Sequence, residues 1–371
     1  MAGWTGLPGK TGKAAVKPRI HASAWQSAGR CMFFDRSDLM RYNKKMTIQP
    51  DLPLLRLQLT FRADEDLKHL PEFRGAFWRS VFGCGLRRLS DPTRPLSEVW
   101  PTTVTTVSTG ALQREDLYNT VFAPEDENDI LPRHIKSPAP YVIDSPSGPR
   151  TIPAGGVETI GLTLIGDRVV ASVPAILAAF ASAAEHGLGS ADKTGHRGRA
   201  TLVSAEIAWR APGDCRPVLL PTGEVAPVAA EVPPVPDCPS AVEITLATPL
   251  RLVRAGRLLG VRRLTAGDLI EALIRRVSIL QRTLGFAPLA IDFRTLFALG
   301  HEARMREADL VFADQQRWSS HQGQEINMGG VLGSFRLPLV GLEPLWPFLW
   351  FGQFVHAGKG AAMGLGAVRL T

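Results

Sequence analysis

Cysteine is scarce in this chain: Cys31, Cys84, Cys215 and Cys238 are scattered over 371 residues with no CxxC pair. That spacing excludes a zinc knuckle and a disulfide framework, and it points to a reducing, cytoplasmic setting. Tyrosine is scarcer, at three residues. With no RNP-type motif either, a platform on which single-stranded bases stack is not expected. Long apolar runs are missing as well. The richest stretch, Leu342 to Val355, is interrupted by Glu343, Pro344, Pro347 and Gln353, so no membrane span is expected. No GxxxxGK[ST] follows a strand and opens a helix, which excludes a Walker loop. Residues 1–45 are basic and rich in Gly and Ser, without the apolar core of a signal peptide. They read as a disordered arm, or as sequence upstream of the true start at Met46; a basic RNA-binding tail is the functional alternative.

What is present is an ordinary globular composition, 45% hydrophobic and 21% charged, with a net charge of +7 and a pI near 9.5. The length suits two domains, and the basic balance favours a polyanionic partner. From Leu54 to Arg62, Leu55, Leu57, Leu59 and Phe61 alternate with Arg56, Gln58, Thr60 and Arg62. Alternation of period two predicts a half-buried strand. A helix is expected over about Glu72–Leu89, with Phe73, Phe77, Val81 and Leu86 along its apolar stripe. Strands at Pro140–Ile143 and Gly156–Ile165, a helix over Val173–His186 and a strand over Ala200–Trp209 complete the order strand, helix, strand, strand, helix, strand. That is the ferredoxin-like order.

Residues 211–240 are dense in proline and read as an interdomain linker or long surface loop. The second half, 241–371, then repeats the plan of 46–210. It offers a strand at Ala241–Val253 and a helix capped by Thr265 with Asp268 as its capping-box partner. A helical piece near Phe293–Arg306, strands at Leu310–Trp318 and Met328–Leu337, a helix over Leu345–His356 and a strand at Met363–Leu370 follow. The expected fold class is therefore α+β, two tandem ferredoxin-like βαββαβ domains with glycine-rich loops.

Each half places a glycine-rich, basic segment between its last helix and last strand: Gly187 to Arg199, and Gly358 to Gly366. Glycines let the backbone approach a ligand, and successive free N–H groups can hold phosphate. Gly358, Gly360, Gly364 and Gly366 are the candidates in the second loop, with Lys359 and Arg369 as countercharge. Lys193, Arg197 and Arg199 serve the first. Each loop also fits a helix C-cap with a tight turn. The run Arg251, Arg254, Arg257, Arg262, Arg263, Arg275 and Arg276 is the best candidate for gripping an RNA hairpin, since arginine suits phosphates and guanine edges alike. A solvated charged face is the plainer alternative.

The stretch from Leu345 to Leu370, LWPFLWFGQFVHAGKGAAMGLGAVRL, resembles the C-terminal signature of the repeat-associated (RAMP) proteins of CRISPR systems. More narrowly it is similar to their precursor-crRNA-processing endoribonucleases. Phe73 to Gly83, Gly187-Leu-Gly with Arg197-Gly-Arg199, and Arg317-Trp-Ser-Ser-His-Gln-Gly leading to Gly329–Gly333 fall in the family's order. The resemblance spans about residues 50–371 and implies metal-independent cleavage of CRISPR repeat RNA. In that reaction a ribose 2′-hydroxyl attacks its own phosphate and leaves a 2′,3′-cyclic end. No cofactor and no metal site are expected. His356, which abuts the glycine loop, leads as the proton-transfer residue, with Lys359 beside it. His69 is second, lying between the first strand and helix where many members carry their histidine. His321, near Arg317, is the third candidate for proton transfer and could equally position the RNA backbone with Arg317, while His134 and His196 read as RNA contacts or as nothing. The alternative is a non-catalytic RAMP subunit that holds guide RNA beside other subunits of a CRISPR effector complex.

Overall fold

Leucines spaced two apart need a surface on one side only, and β1 (Leu54–Ala63) is built that way. Leu55, Leu57, Leu59 and Phe61 are buried, while Gln58 and Arg62 are exposed. The computed structural model describes residues 48–91, 93–105, 117–124, 131, 136–145, 147–208, 215–314, 316–319 and 324–371. The basic arm (1–45), the acidic run at 125–129, His134 and His321 lie outside the described residues.

After β1 come α1 (Arg74–Ser90), β2 (Tyr141–Asp144), β3 (Val157–Ile165), α2 (Val173–Glu185) and β4 (Ala200–Ala208), with β5 (Cys215–Pro217) as an added edge. The sheet runs β2-β3-β1-β4-β5 with every pair antiparallel. Register sets Leu57 between Leu162 and Ile207. One helix-covered face thus collects the apolar residues of three strands.

The second half contributes β6 (Ala241–Leu250), a small hairpin of β7 (Val253–Arg254) and β8 (Arg257–Leu258), α3 (Ala266–Thr283), α4 (Phe293–Glu302), β9 (Arg306–Ala313), a second hairpin of β10 (Gln316–Ser319) and β11 (Gln324–Asn327), β12 (Gly330–Pro338), α5 (Trp346–Val355) and β13 (Val368–Leu370). Its sheet order, β13-β6-β12-β9, interleaves the first, third and last strands just as the first sheet does. Both halves therefore have the ferredoxin-like arrangement. Thr265 caps α3 as expected, its hydroxyl accepting from Asp268 N while the Asp268 carboxylate accepts from Thr265 N.

Three details depart from the sequence reading. The buried face of α1 is Trp78, Phe82, Leu86 and Leu89, with Phe77 and Val81 only partly covered. Phe82 stacks on Phe180 of α2 at 4.6 Å, and Gly85 lets the two helices meet at the Ala179 carbonyl. The single strand expected over Leu310–Trp318 is divided between β9 and β10, because the chain turns into a hairpin before rejoining the sheet. The expected long last strand is only Val368–Leu370, since Ala361–Met363 forms a 3-10 turn.

The proline-rich segment is a strap rather than a free linker. Glu231 exchanges both backbone hydrogen bonds with Leu54, and Trp346 Nε1 donates to the Pro236 carbonyl at 2.8 Å. Val225 and Val228 pack on the first core, Val232 and Val235 on the second. Prolines cannot donate to a ladder, but alternate side chains can still cover apolar surface. Leu54 and Ile165 cross over as well, joining the core of the second half.

The turn at Ala361–Met363 closes the seam from the other side. A Cβ on Gly75, in the first turn of α1, would lie 1.9 Å from the Met363 carbonyl oxygen. Alanine favours a helix interior by about 1 kcal/mol over glycine, yet Gly75→Ala is expected to lower the melting temperature by several degrees because a backbone carbonyl must be displaced. A thermal melt with an unchanged or raised midpoint would refute this account of the seam. Among the described residues no helix is long and apolar enough to cross a membrane.

Candidate functional site

The segment leaving β1 is held at two points. Leu67 and Ile152 exchange backbone hydrogen bonds, and Leu70 N donates to the Arg150 carbonyl, with both leucine side chains buried. Between these anchors Lys68 and His69 are exposed, and His69 has a left-handed backbone, φ 54°. Such a conformation costs a non-glycine residue on the order of 1–3 kcal/mol and persists only where the surroundings enforce it. Here the first glycine loop does so: Ser190 N donates to the Lys68 carbonyl, and a Cβ on Gly189 would come within 2.5 Å of that same oxygen. The loop that presents His69 and the loop rich in glycine are thus laced together by backbone.

Sequence reasoning missed the residue that joins them electrostatically. The Glu65 carboxylate accepts from Arg199 Nη2 at 2.8 Å, Arg199 Nε at 3.0 Å, Arg199 backbone N at 3.1 Å and His196 Nε2 at 2.7 Å. These bonds, Arg199 first and His196 next, hold its carboxyl below the usual glutamate range. The signal was present as three consecutive acids, Asp64-Glu65-Asp66, directly before the histidine segment. Arg197 donates to the Gly189 carbonyl at 3.3 Å, and both Arg197 and Lys193 remain exposed.

The C-terminal glycine loop turns inward. Gly364 N and Gly366 N donate to the Ala361 and Pro249 carbonyls, and a Cβ on Gly364 would meet the Ile143 carbonyl at 2.5 Å. Their amides are therefore spent on the fold, and the loop's candidates for phosphate reduce to Gly358, Gly360 and the exposed side chain of Lys359. Lys359 N donates to the Arg251 carbonyl, which sets this lysine beside the end of β6. Arg369 is exposed on β13.

His356 is brought inside, not to the surface. Only 3% of it is exposed, its backbone lies at φ 57°, ψ 171°, and among the described residues its Nδ1 is buried without a partner. Burial pushes the imidazole down to about 4; Asp144 opposes this, while Arg276 reinforces it. Arg276 is itself corrected as an RNA contact. Its Nε donates to the Val355 carbonyl at the end of α5, so the guanidinium serves as a helix C-cap across the core of the second half. Arg275 is exposed but pairs with Glu271 at 2.6 Å and lies over the Phe297 ring. Arg262 and Arg263 sit exposed on a 3-10 turn ahead of α3. Arg317 falls on β10.

Comparison with known proteins places this geometry. Residues 244–368 match the family model of the CRISPR-associated endoribonuclease Cas6, and residues 52–229 match a model described only as an N-terminal domain. Among solved structures, a Cas6 of Thermus thermophilus in its product complex superposes with a TM-score of 0.51 at 14% identity, covering 86% of this chain and 99% of that one. A chain of a partial Cas6-RT-Cas1–Cas2 complex gives 0.52 at 13% identity, over 88% of this chain and 47% of that one. No curated protein matches. The tandem ferredoxin-like fold of this chain is thus shared with solved Cas6 structures. The likeness to the Cas6 endoribonuclease family is carried by residues 244–368, within the second half.

Proposed function

We propose that this protein cuts CRISPR precursor RNA within its repeats, and that the ribose 2′-hydroxyl at the scissile bond is the nucleophile. The Cas6-family match of residues 244–368 carries this reading. The 2′-oxygen bonds to the adjacent phosphorus, the bond to the 5′-oxygen breaks, and the products are a 2′,3′-cyclic phosphate and a 5′-hydroxyl. One proton must leave the 2′-hydroxyl and one must reach the departing oxygen. His69 is exposed and rigidly presented, and it is the residue to which we assign proton transfer. An imidazole suits that work near neutral pH. Lys359, Arg197, Arg262, Arg263, Arg317, His321 and Arg369 are assigned to the RNA backbone, where cations offset the charge that crowds onto the phosphate. His356, being buried, is assigned a positioning role at the junction of α5 with its loop.

Cleavage of the cognate repeat RNA in excess EDTA tests the chemistry. Cutting is expected to persist, with a cyclic phosphate on the upstream fragment; complete inhibition by chelator, or a 3′-hydroxyl product, would overturn the metal-free route. The burial of His356 favours one alternative, a non-catalytic RAMP subunit that holds guide RNA beside other CRISPR proteins. Tight binding of repeat RNA without any cutting would assign the protein to that class.

A further inference from the structure

The four donors that converge on Glu65 are a guanidinium presenting two N–H groups, a backbone amide and an imidazole. That set is the one that chelates a phosphate oxyanion: planar bidentate donors, a fixed amide and a fourth N–H from a neighbouring side chain. Here a carboxylate of the same chain fills it. Side-chain exposures of 59% for Arg199 and 55% for His196, against 31% for Glu65, leave both donors reachable from solvent while the acid sits beneath them. The set is also held in shape independently of Glu65. Asp192 Oδ1 accepts from Thr194 N and His196 N, Gly195 N donates to the Asp192 carbonyl, and Asp64 N donates to the Arg199 carbonyl. Lys68 and His69 lie three and four residues beyond Glu65, tied to the same glycine loop through Ser190.

We propose that Glu65 is an internal stand-in for an RNA phosphate: it occupies the Arg199–His196 site in the free protein, and a backbone phosphate of the bound RNA displaces it. This rests on the reading of the protein as RNA-binding. Its consequence is that Glu65 lowers affinity for any polyanion that lacks enough other contacts to remove it, so the latch discriminates against short or non-cognate RNA. An exposed ion pair holds by little, which makes exchange for a phosphate feasible without remodelling the loop.

The test is a fluorescence-anisotropy titration of the full chain with two probes, the cognate repeat RNA and a mixed-sequence single-stranded RNA of the same length, over roughly 50–300 mM salt. Wild type is compared with Glu65→Gln, Arg199→Gln and the double variant, each checked by thermal melt. Glu65→Gln is expected to bind the mixed-sequence RNA roughly three- to tenfold tighter at low salt, with a slope of log affinity against log salt steeper by about one. The cognate RNA should gain less, and the double variant should lose the gain. A Glu65→Gln protein that is folded but binds both probes as wild type does, or more weakly, overturns the proposal and leaves Glu65 a simple tie between loops. A gain that survives in the double variant also overturns it, since Arg199 would not be the group released. If neither probe binds any of the four proteins at moderate salt, the RNA-binding reading itself falls, and the latch with it.

Discussion

His69→Ala is expected to reduce cleavage of repeat RNA by roughly 10²–10⁴-fold, the usual contribution of one positioned acid or base, while RNA affinity stays within about threefold of wild type. His69 is fixed between the Leu67–Ile152 and Leu70–Arg150 backbone pairs and pressed from the side by Ser190, so its Cα position does not depend on its own side chain. Truncation therefore removes the imidazole without dismantling the loop, and an exposed residue with a left-handed backbone contributes little packing to lose. The informative measurement is single-turnover cleavage at saturating protein, alongside anisotropy for binding. A cleavage rate within fivefold of wild type, with binding intact, would remove His69 from the reaction. A fall in binding that matches the fall in rate would make it a contact residue instead.

The second large effect concerns acid. Burial lowers the His356 imidazole to about 4 in the folded protein, against about 6.5 for an unfolded histidine. The unfolded chain therefore takes up the proton first as pH falls. The stability that neutral His356 preserves is complete above about pH 6.5 and is lost progressively toward pH 4, amounting to about 2–3 kcal/mol by pH 4.5. Protonation inside the fold is opposed by Arg276, whose guanidinium caps the same helix end. Urea denaturation of wild type and His356→Asn at pH 7 and pH 4.5 isolates the contribution, because asparagine does not titrate and other acidic effects cancel in the difference. Parallel losses in the two proteins would show that His356 is not the acid-sensitive group.

Much of the architecture could be read before any coordinates. Period-two leucines marked β1, Thr265 with Asp268 marked the start of α3, and the repeated element order implied two sheets of one topology. The buried stripe of α1 was misjudged because its N-terminal arginine is interior. Arg74 is fully buried and pairs with Glu158 of β3 at 2.8 Å, which rotates the helix so that Trp78 and Phe82 face the sheet. A charge at that position reads as a solvent signal until its partner, 84 residues downstream, is known. His356 was misplaced for a related reason. A histidine at a helix end beside glycines suggests an open loop, but the loop's glycines are there to let backbone meet backbone across the seam. Glu65 was passed over because acids clustered after a strand look solvated, and their partners Arg199 and His196 are more than a hundred residues away.

The position of Ala361–Met363 has a consequence for the order in which the protein is made. This turn touches α1 and β2, whose residues are synthesised some 200–300 positions earlier. The first sheet and its two helices can assemble while the ribosome is still translating the second half, since all their strands lie upstream of residue 218. The joint between the halves cannot, because one of its surfaces does not yet exist. A nascent chain must therefore carry the exposed rim of Gly75 and Ile143 through the whole elongation of the second half.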